Sequence, residues 1–312
     1  MTRPLSGVFC AAATPVGADF APNLPAFTAH CRWLLDEGCD GIALLGTTGE
    51  ANSFSSRERR EILEAALSAG IAPARLLPGT GLANSPETVE LTRHALSCGV
   101  TTVVMLPPFY YKSMSDEGLF QAYARIIDGV ADPRLRVILY HIPQMTGLPI
   151  SHELIDRLRQ AFPETVIGIK DSAGKLENME AMIARFPGFS VFAGADPLLL
   201  PLMGLGGAGC ITATSNLVAR DLAVVFHHAG DPLQSPAVDA AQGRINAYRD
   251  LSNSYIQIPA IKAMIAHRSG DPGWLRLRPP LLPLSADEQA DLARRLTALS
   301  ATHPATGSGV PA

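Results

Sequence analysis

Lys170 is the first residue in this chain whose position suggests covalent chemistry. It ends an apolar run over residues 166–169 and is followed at once by turn residues. A short apolar run between turn signals is typical of a strand buried on both faces, where an ammonium group is costly. A desolvated lysine at a strand end is a nucleophilic amine of the kind that forms Schiff bases with carbonyl substrates. The alternative is a side chain that extends to solvent and pairs with Asp171 or another carboxylate.

Two further strand ends carry groups that suit the same chemistry. Residues 46–50, Gly-Thr-Thr-Gly-Glu, combine the hydroxyls of Thr47 and Thr48 with the free N–H groups of a turn, which can hold a small carboxylate. An ordinary turn between a strand and a helix is the alternative there. Tyr140 places a phenol at the end of another strand. A carboxylate receptor, a phenol and a lysine are the groups needed to bind a 2-oxo acid and to condense its ketone with an amine.

Short apolar runs alternate with amphipathic stretches along the chain, and this alternation predicts the fold. Eight strands separated by helices over about 220 residues are the count of a (β/α)8 TIM barrel. An open doubly wound sheet is the alternative, but no GxGxxG turn follows a predicted strand. The predicted strands are residues 8–13, 41–45, 75–78, 101–106, 136–140, 166–170, 190–193 and 209–212.

The pattern changes after the eighth predicted strand, because from about residue 218 only helical periodicity remains. We therefore expect the barrel to occupy residues 1–229 and a small C-terminal helical extension to occupy residues 230–300. Residues 301–312 are small, polar and proline-rich, which predicts a disordered tail.

Composition narrows the class of protein. The 312-residue chain has 47% hydrophobic residues and a formal net charge of −4, so neither a nucleic acid nor a membrane is expected as a partner. Five cysteines without a CxxC pair argue against a disulfide framework and favour a cytoplasmic protein. We find no signal peptide and no apolar run long enough to cross a bilayer. The histidines and cysteines show no metal-ligand spacing, so no metal and no other cofactor is expected.

The chain resembles the N-acetylneuraminate lyase and dihydrodipicolinate synthase family of class I, Schiff-base aldolases and lyases. Each motif is weak alone, but all six stand in the family's order between residues 7 and about 283. The motifs are residues 46–50 (GTTGE), 108–111 (PFYY), 140–143 (Tyr-x-x-Pro), 168–171 (GIKD), 194–196 (GAD) and 209–211 (GCI). The resemblance implies a (β/α)8 barrel with C-terminal helices, assembled as a homotetramer or homodimer.

The resemblance also implies roles for the residues at the strand ends. Lys170 matches the Schiff-base lysine, and Tyr140 matches the tyrosine that transfers protons to and from the carbinolamine and the substrate hydroxyl. Thr47 and Thr48 match the pair that holds the substrate carboxylate, with Thr48 also linking Tyr140 to a second tyrosine.

That second tyrosine comes from a neighbouring subunit in the family. It matches Tyr110, or Tyr111 because the length of this loop varies among family members. Gly194 and Ile211 match residues that line the Schiff-base pocket, and Ile211 is expected to act through its backbone carbonyl.

Two departures from the family bear on the substrate. His141 stands where asparagine is common, and we expect it to bond to backbone or to a neighbouring loop; a catalytic histidine is the alternative. Met145 stands where dihydrodipicolinate synthases carry an arginine for the carboxylate of the aldehyde substrate. A thioether cannot replace a guanidinium in that contact, so Met145 argues against a synthase.

Three functions follow from these residues. The first is a lyase, either an aldolase or a dehydratase, that acts on a 2-oxo acid such as a 2-keto-3-deoxy sugar acid, with pyruvate as product or donor. The second is a 4-hydroxy-tetrahydrodipicolinate synthase that condenses pyruvate with aspartate semialdehyde. The third is a sensor that binds an oxo acid without catalysis, although such a protein has no need for a nucleophile and a proton shuttle.

Overall fold

The computed structural model of the chain describes residues 4–302. Within this range the parallel strands form a seven-stranded sheet in the order β2-β1-β7-β6-β5-β4-β3. The strands are β1 (Gly7–Ala11), β2 (Gly41–Ala43), β3 (Thr102–Met105), β4 (Arg136–His141), β5 (Val166–Asp171), β6 (Ser190–Ala193) and β7 (Gly209–Thr212). The strands at the two ends of this order, β2 and β3, are consecutive along the chain. This is the arrangement of a barrel whose eighth strand, between β2 and β3, is irregular.

An extended segment closes the ring between β2 and β3. The Leu77 N–H donates to the Ile42 carbonyl at 2.9 Å on one side, and the Val104 N–H donates to the Pro78 carbonyl at 3.0 Å on the other. Pro78 has no N–H to donate, so a continuous ladder cannot form here. The prediction of a regular strand at residues 75–78 is therefore wrong, whereas the predicted (β/α)8 barrel is confirmed.

Helices follow the strands and cover the outside of the barrel. They are α1 (Leu24–Asp36), α2 (Ser56–Ser68), α3 (Ser85–Ser97), α4 (Asp116–Val130), α5 (Pro143–Thr146), α6 (His152–Ala161), α7 (Leu176–Arg185), α8 (Leu199–Gly204), α9 (Ser215–His228), α10 (Ser235–Asn253), α11 (Gln257–Ser269) and α12 (Ala286–Thr302). Short 3-10 turns occupy Ala51–Ser53, Pro73–Arg75, Asp196–Leu198 and Pro272–Leu275. None of the helices within residues 4–302 has the length and apolar composition needed to span a membrane.

The strands separate two apolar layers because alternate residues point to opposite faces. One face packs under the helices in the main core, and the other fills the barrel with side chains that include Phe9, Ile138 and Phe192. The rings of Phe9 and Phe192 meet edge to face at 5.7 Å between centroids. Tyr140 belongs to the inner layer, so its phenol is held by the barrel core.

The helices after α9 form the C-terminal extension. Helix α11 packs against the barrel through Ile261 and Ile265, which contact Ala13 and Ala213. Helix α12 continues to Thr302, so the predicted disordered tail does not begin at residue 301. The rest of that tail, residues 303–312, lies outside the described residues. The boundary between residues 229 and 230 stays a prediction.

Candidate active site

Lys170 lies inside the barrel near the C-terminal end of β5. The strand runs one residue further than predicted, to Asp171, and Lys170 pairs in register with Tyr140 on β4. The side chain is buried, and its Nζ lies 4.2 Å from the centroid of the Tyr140 ring. Asp171 points to the opposite face, where it accepts a 2.6 Å hydrogen bond from Asn178 Nδ2. None of the ion pairs within residues 4–302 involves Lys170, so the alternative of a lysine paired with Asp171 is wrong.

The phenol of Tyr140 is the polar group next to this amine. Its Oη lies 3.3 Å from Oγ1 of Thr47, at hydrogen-bond distance. Burial raises the pKa of the phenol, but the Lys170 ammonium and the hydrogen bonds from Thr47, Lys170 and Ser172 together outweigh it. The net pKa of Tyr140 is therefore lowered, which suits a group that must both give and take a proton.

The turn after β2 presents the two threonines. Thr47, at the cavity, has the hydroxyl that meets Tyr140, whereas Thr48 is buried. The implied link from Thr48 to Tyr140 is therefore corrected to Thr47. Two residues that flank the turn, Leu45 (φ 58°) and Glu50 (φ 54°), adopt left-handed backbone conformations. Such conformations are uncommon for residues other than glycine, so the backbone on both sides of the threonines has a specific shape.

One cavity at the C-terminal ends of the strands brings four of the predicted site residues together. Thr47, Tyr140, Lys170 and Ile211 line it, with apolar walls that include Val104. An apolar pocket with a few converging polar groups is the usual form of a small-molecule site. Its amine and phenol are arranged for covalent chemistry on a carbonyl group.

Comparison with known proteins adds to this geometry. The model of the dihydrodipicolinate synthetase family matches residues 4–299. The chain belongs to this family. It is therefore a class I lyase, an enzyme that acts through a lysine Schiff base.

Two relatives illustrate the similarity in sequence. The chain is 38% identical over 290 residues to a Chloroflexus aurantiacus protein named an uncharacterized DapA-like lyase, with 92% of this chain and 94% of that protein covered. It is 30% identical over 268 residues to the 4-hydroxy-tetrahydrodipicolinate synthase of Bacillus subtilis, with 86% and 90% covered.

Two solved structures illustrate the similarity in fold. Dihydrodipicolinate synthase from Agrobacterium tumefaciens superimposes with a TM-score of 0.83 at 30% identity, covering 94% of this chain and 99% of that one. YagE from E. coli K12, a prophage protein of the family solved in complex with pyruvate, gives a TM-score of 0.86 at 26% identity, covering 95% and 98%.

Gly194 and Met145 are not among the residues that line the cavity. The Gly194 N–H donates to the Asp171 carbonyl at 2.7 Å, and a Cβ at this position would lie 2.0 Å from Ser172 Oγ. Only a glycine therefore lets the turn after β5 pack so closely on β6. Met145 lies on α5 with 62% of its surface exposed.

Tyr110 and Tyr111 are exposed and do not line the cavity of their own chain. They are 72% and 70% exposed, and their rings meet edge to face at 5.3 Å. Large exposed aromatic side chains in one loop are typical of a contact surface. The choice between the two as the cross-subunit tyrosine stays a prediction.

His141 lies on the outer face of β4. Its Nδ1 accepts a hydrogen bond from the Ile150 N–H at 3.0 Å, so the expected bond to backbone is confirmed. Burial lowers the pKa of His141, although the neighbouring Asp171 carboxylate opposes this effect. A neutral ring whose Nδ1 accepts a hydrogen bond carries its proton on Nε2. The bond to Ile150 holds the segment after α5 in place.

The sequence reasoning missed two features of the site. Ser172 lies two residues after Lys170, and its hydroxyl is one of the groups that lower the pKa of the Tyr140 phenol. The strand period of two could have placed it on the lysine's side. Lys262 and Glu50 form a buried ion pair beneath the threonine turn. The signal for it was a lysine within an apolar helix in a chain that has only four lysines.

Proposed function

We propose that this lyase is an aldolase or dehydratase that acts on a 2-oxo acid with a neutral, hydroxylated distal part, such as a 2-keto-3-deoxy sugar acid. If it is an aldolase, pyruvate is its product or donor. The observation that carries the proposal is the group of Lys170, Tyr140 and Thr47 in one cavity, with Nζ of the lysine 4.2 Å from the tyrosine ring. The pyruvate complex of the related YagE supports the choice of substrate class.

The first steps are the same for both reactions. The unprotonated amine of Lys170 attacks C2 of the 2-oxo acid, while Tyr140 gives a proton to the carbonyl oxygen, which yields a carbinolamine. Loss of water forms the iminium. Thr47 and Thr48 hold the substrate carboxylate, since hydroxyls and turn N–H groups bind such an anion. Ile211 lines the same pocket through its backbone.

The second half differs between the two reactions. In an aldolase, a base removes the proton of the C4 hydroxyl and the C3–C4 bond breaks. Its electron pair forms the enamine, and the aldehyde leaves; protonation at C3 and hydrolysis then release pyruvate and the free lysine. In a dehydratase, C3 loses a proton to give the enamine, and the C4 hydroxyl takes up a proton and leaves as water. Hydrolysis of the unsaturated iminium then releases the product and the free lysine. Tyr140 is the proton carrier within reach in both cases.

A second candidate is 4-hydroxy-tetrahydrodipicolinate synthase, which condenses pyruvate with aspartate semialdehyde. It is favoured by the names of relatives at about 30% identity, including the Bacillus subtilis enzyme. Met145 disfavours it, because an exposed thioether offers no charge-assisted contact to the second carboxylate. We therefore favour the aldolase or dehydratase over the synthase.

The proposal includes assembly and location. We expect a homotetramer or homodimer in which Tyr110 or Tyr111 of one subunit reaches the site of its neighbour. The exposed aromatic pair supports this arrangement. We also propose a cytoplasmic location, since the five cysteines are free thiols.

Trapping of the Schiff base tests the mechanism. Incubation with pyruvate and borohydride should attach a reduced three-carbon adduct to Lys170, located by peptide mass spectrometry. The matched control is Lys170→Met, which should remain unlabelled. An adduct on Lys112, Lys175 or Lys262 instead, or no adduct at all, would overturn the proposal.

A further inference from the structure

Helix α11 of the C-terminal extension places a charged group beneath the threonine turn. The side chains of Lys262 and Glu50 are both fully buried, with no exposed surface. Lys262 Nζ donates to Glu50 Oε1 at 2.6 Å and to the Thr14 carbonyl at 3.0 Å. The pair therefore joins the extension to the loops after β1 and β2, although Lys262 does not reach the cavity.

The turn depends on outside contacts to keep its shape. Glu50 ends it in a left-handed backbone conformation, which persists only where the surroundings hold it. Thr14 Oγ1 donates to the Gly49 carbonyl at 2.9 Å. A Cβ at Gly49 would lie 2.9 Å from the Ala12 carbonyl oxygen, so the turn is pressed against the end of β1.

A second contact from the extension holds the next part of the same loop. Arg278 donates to the Ser53 carbonyl at 2.6 Å and to the Phe20 carbonyl at 2.7 Å, and it pairs with Glu58 at the start of α2. The loop between β2 and α2 is therefore held by the extension at two points, Glu50 and Ser53, and the two threonines lie just before the first of them.

We propose that Lys262 is a positioning residue that sets the geometry of the carboxylate receptor through Glu50. This inference rests on the proposed function, in which Thr47 and Thr48 bind the carboxylate of the 2-oxo acid. Glu50 Oε2 is buried and has no hydrogen-bond partner among residues 4–302. Without the ammonium, the carboxylate would be an uncompensated buried charge, so Glu50 would have to take up a proton or move towards water, and either change alters the contacts that hold it. Because Glu50 ends the turn, the threonines would move with it.

The variant Lys262→Met tests this role with two ketones. It keeps an unbranched, apolar stem and removes the charge. The rate of borohydride trapping on Lys170 is measured with pyruvate and with acetone, which presents a ketone without a carboxylate. The ratio of the two rates should fall by about tenfold or more, the effect of losing one hydrogen bond to a charged group. A general loss of active protein would lower both rates together and leave the ratio unchanged.

A second, largely buried ion pair between the extension and the barrel provides the matched control. Arg244 on α10 pairs with Asp221 on α9 at 2.5 Å, and their side chains are 8% and 13% exposed. Arg244→Met should lower stability without changing the pyruvate-to-acetone ratio. The double variant Lys262→Met, Glu50→Gln should recover part of the ratio, because no buried charge then lacks a partner.

The outcomes separate the two proposals. If wild type is labelled on Lys170 and the ratio in Lys262→Met equals that of wild type, the positioning role is wrong and the proposed function stands. If wild type forms no adduct with either ketone, the proposed function is wrong and this inference falls with it. Should Lys262→Met fail to fold, Thr14→Val removes only the hydroxyl contact to Gly49 and must itself lower the ratio; an unchanged ratio there overturns the inference.

Discussion

The phenol of Tyr140 can be removed with little other change to the molecule. Tyr140→Phe deletes one oxygen and keeps the ring, which is buried in the inner layer of the barrel with Phe192 and Ile211. The contact between Lys170 Nζ and the ring, 4.2 Å at present, is retained. The Thr47 hydroxyl loses its partner at 3.3 Å. The variant therefore tests the acid–base group without removing the nucleophile.

The effects on stability and on rate differ in size. The lost hydrogen bond is expected to lower the free energy of unfolding by about 1 kcal/mol. The lost general acid–base group is expected to lower turnover by about 10²–10⁴-fold. That factor corresponds to about 3–5 kcal/mol in the activation barrier. The rate effect thus exceeds any effect of partial unfolding by a wide margin.

Exchange of the pyruvate methyl protons with deuterium measures this step directly. The exchange requires a Schiff base on Lys170 and proton transfer at C3, and NMR in D2O follows it without knowledge of the second substrate. Tyr140→Phe should slow the exchange by the factor above, while borohydride still traps pyruvate slowly. Tyr123→Phe is the matched control, because Tyr123 is a buried tyrosine whose hydroxyl donates to the Met105 carbonyl outside the cavity. Exchange in Tyr140→Phe within about threefold of wild type would remove Tyr140 from the mechanism.

Two other substitutions test specificity and pH dependence. Met145→Arg should raise the ratio of kcat/KM for a carboxylated over a neutral aldehyde by about tenfold to a hundredfold, through a charge-assisted contact; an unchanged ratio would place residue 145 outside the distal pocket. The hydrogen bond from Arg278 lowers the pKa of Glu58 to about 2, so the ionised carboxylate stabilises the fold above about pH 4.5 and this contribution is lost as the pH falls towards 2. Glu58→Gln should therefore lower the free energy of unfolding by about 1–2 kcal/mol at pH 7 and by less at pH 3. Urea unfolding at both pH values measures the two differences, and equal differences would contradict the prediction. Glu61→Gln, in an exposed pair with Arg57, is the control and should change little at either pH.

The parts of the site that were predictable depend on local signals. Lys170 stood out because an apolar run leaves no ordinary reason for an ammonium group at its end. The alternation of strands and helices predicted the barrel. The spacing of apolar residues in a strand or a helix follows from its local backbone geometry, so the sequence shows it directly. The same local reasoning failed at residues 75–78, where Pro78 interrupts the ladder although the segment still occupies the eighth position.

Other features depend on contacts that no local pattern encodes. Thr47 and Thr48 are adjacent and chemically alike, and only the folded turn, in which Leu45 and Glu50 have left-handed conformations, shows that Thr47 is the one that meets Tyr140. Neither residue is a glycine, so the sequence gives no sign of these left-handed conformations. Glu50 in turn is held by Lys262, which lies 212 residues away along the chain. The link to Tyr140 was therefore wrongly assigned to Thr48, because the choice between the two threonines depends on tertiary contacts.

The groups that bind and the groups that react are supported by different parts of the molecule. Tyr140 and Lys170 are fixed by register between β4 and β5 and by the packed interior of the barrel. Thr47 is fixed by a turn that the C-terminal extension holds through Glu50 and Lys262. Thr47 Oγ1 meets the Tyr140 phenol at 3.3 Å, but the backbone of the threonine turn is held by different contacts from those that hold β4 and β5. Tyr140→Phe should therefore impair proton transfer more than discrimination between pyruvate and acetone, whereas Lys262→Met should do the reverse. If either variant lost proton transfer and discrimination in equal measure, the carboxylate receptor and Lys170 would depend on the same contacts. The separate role of the extension would then be wrong.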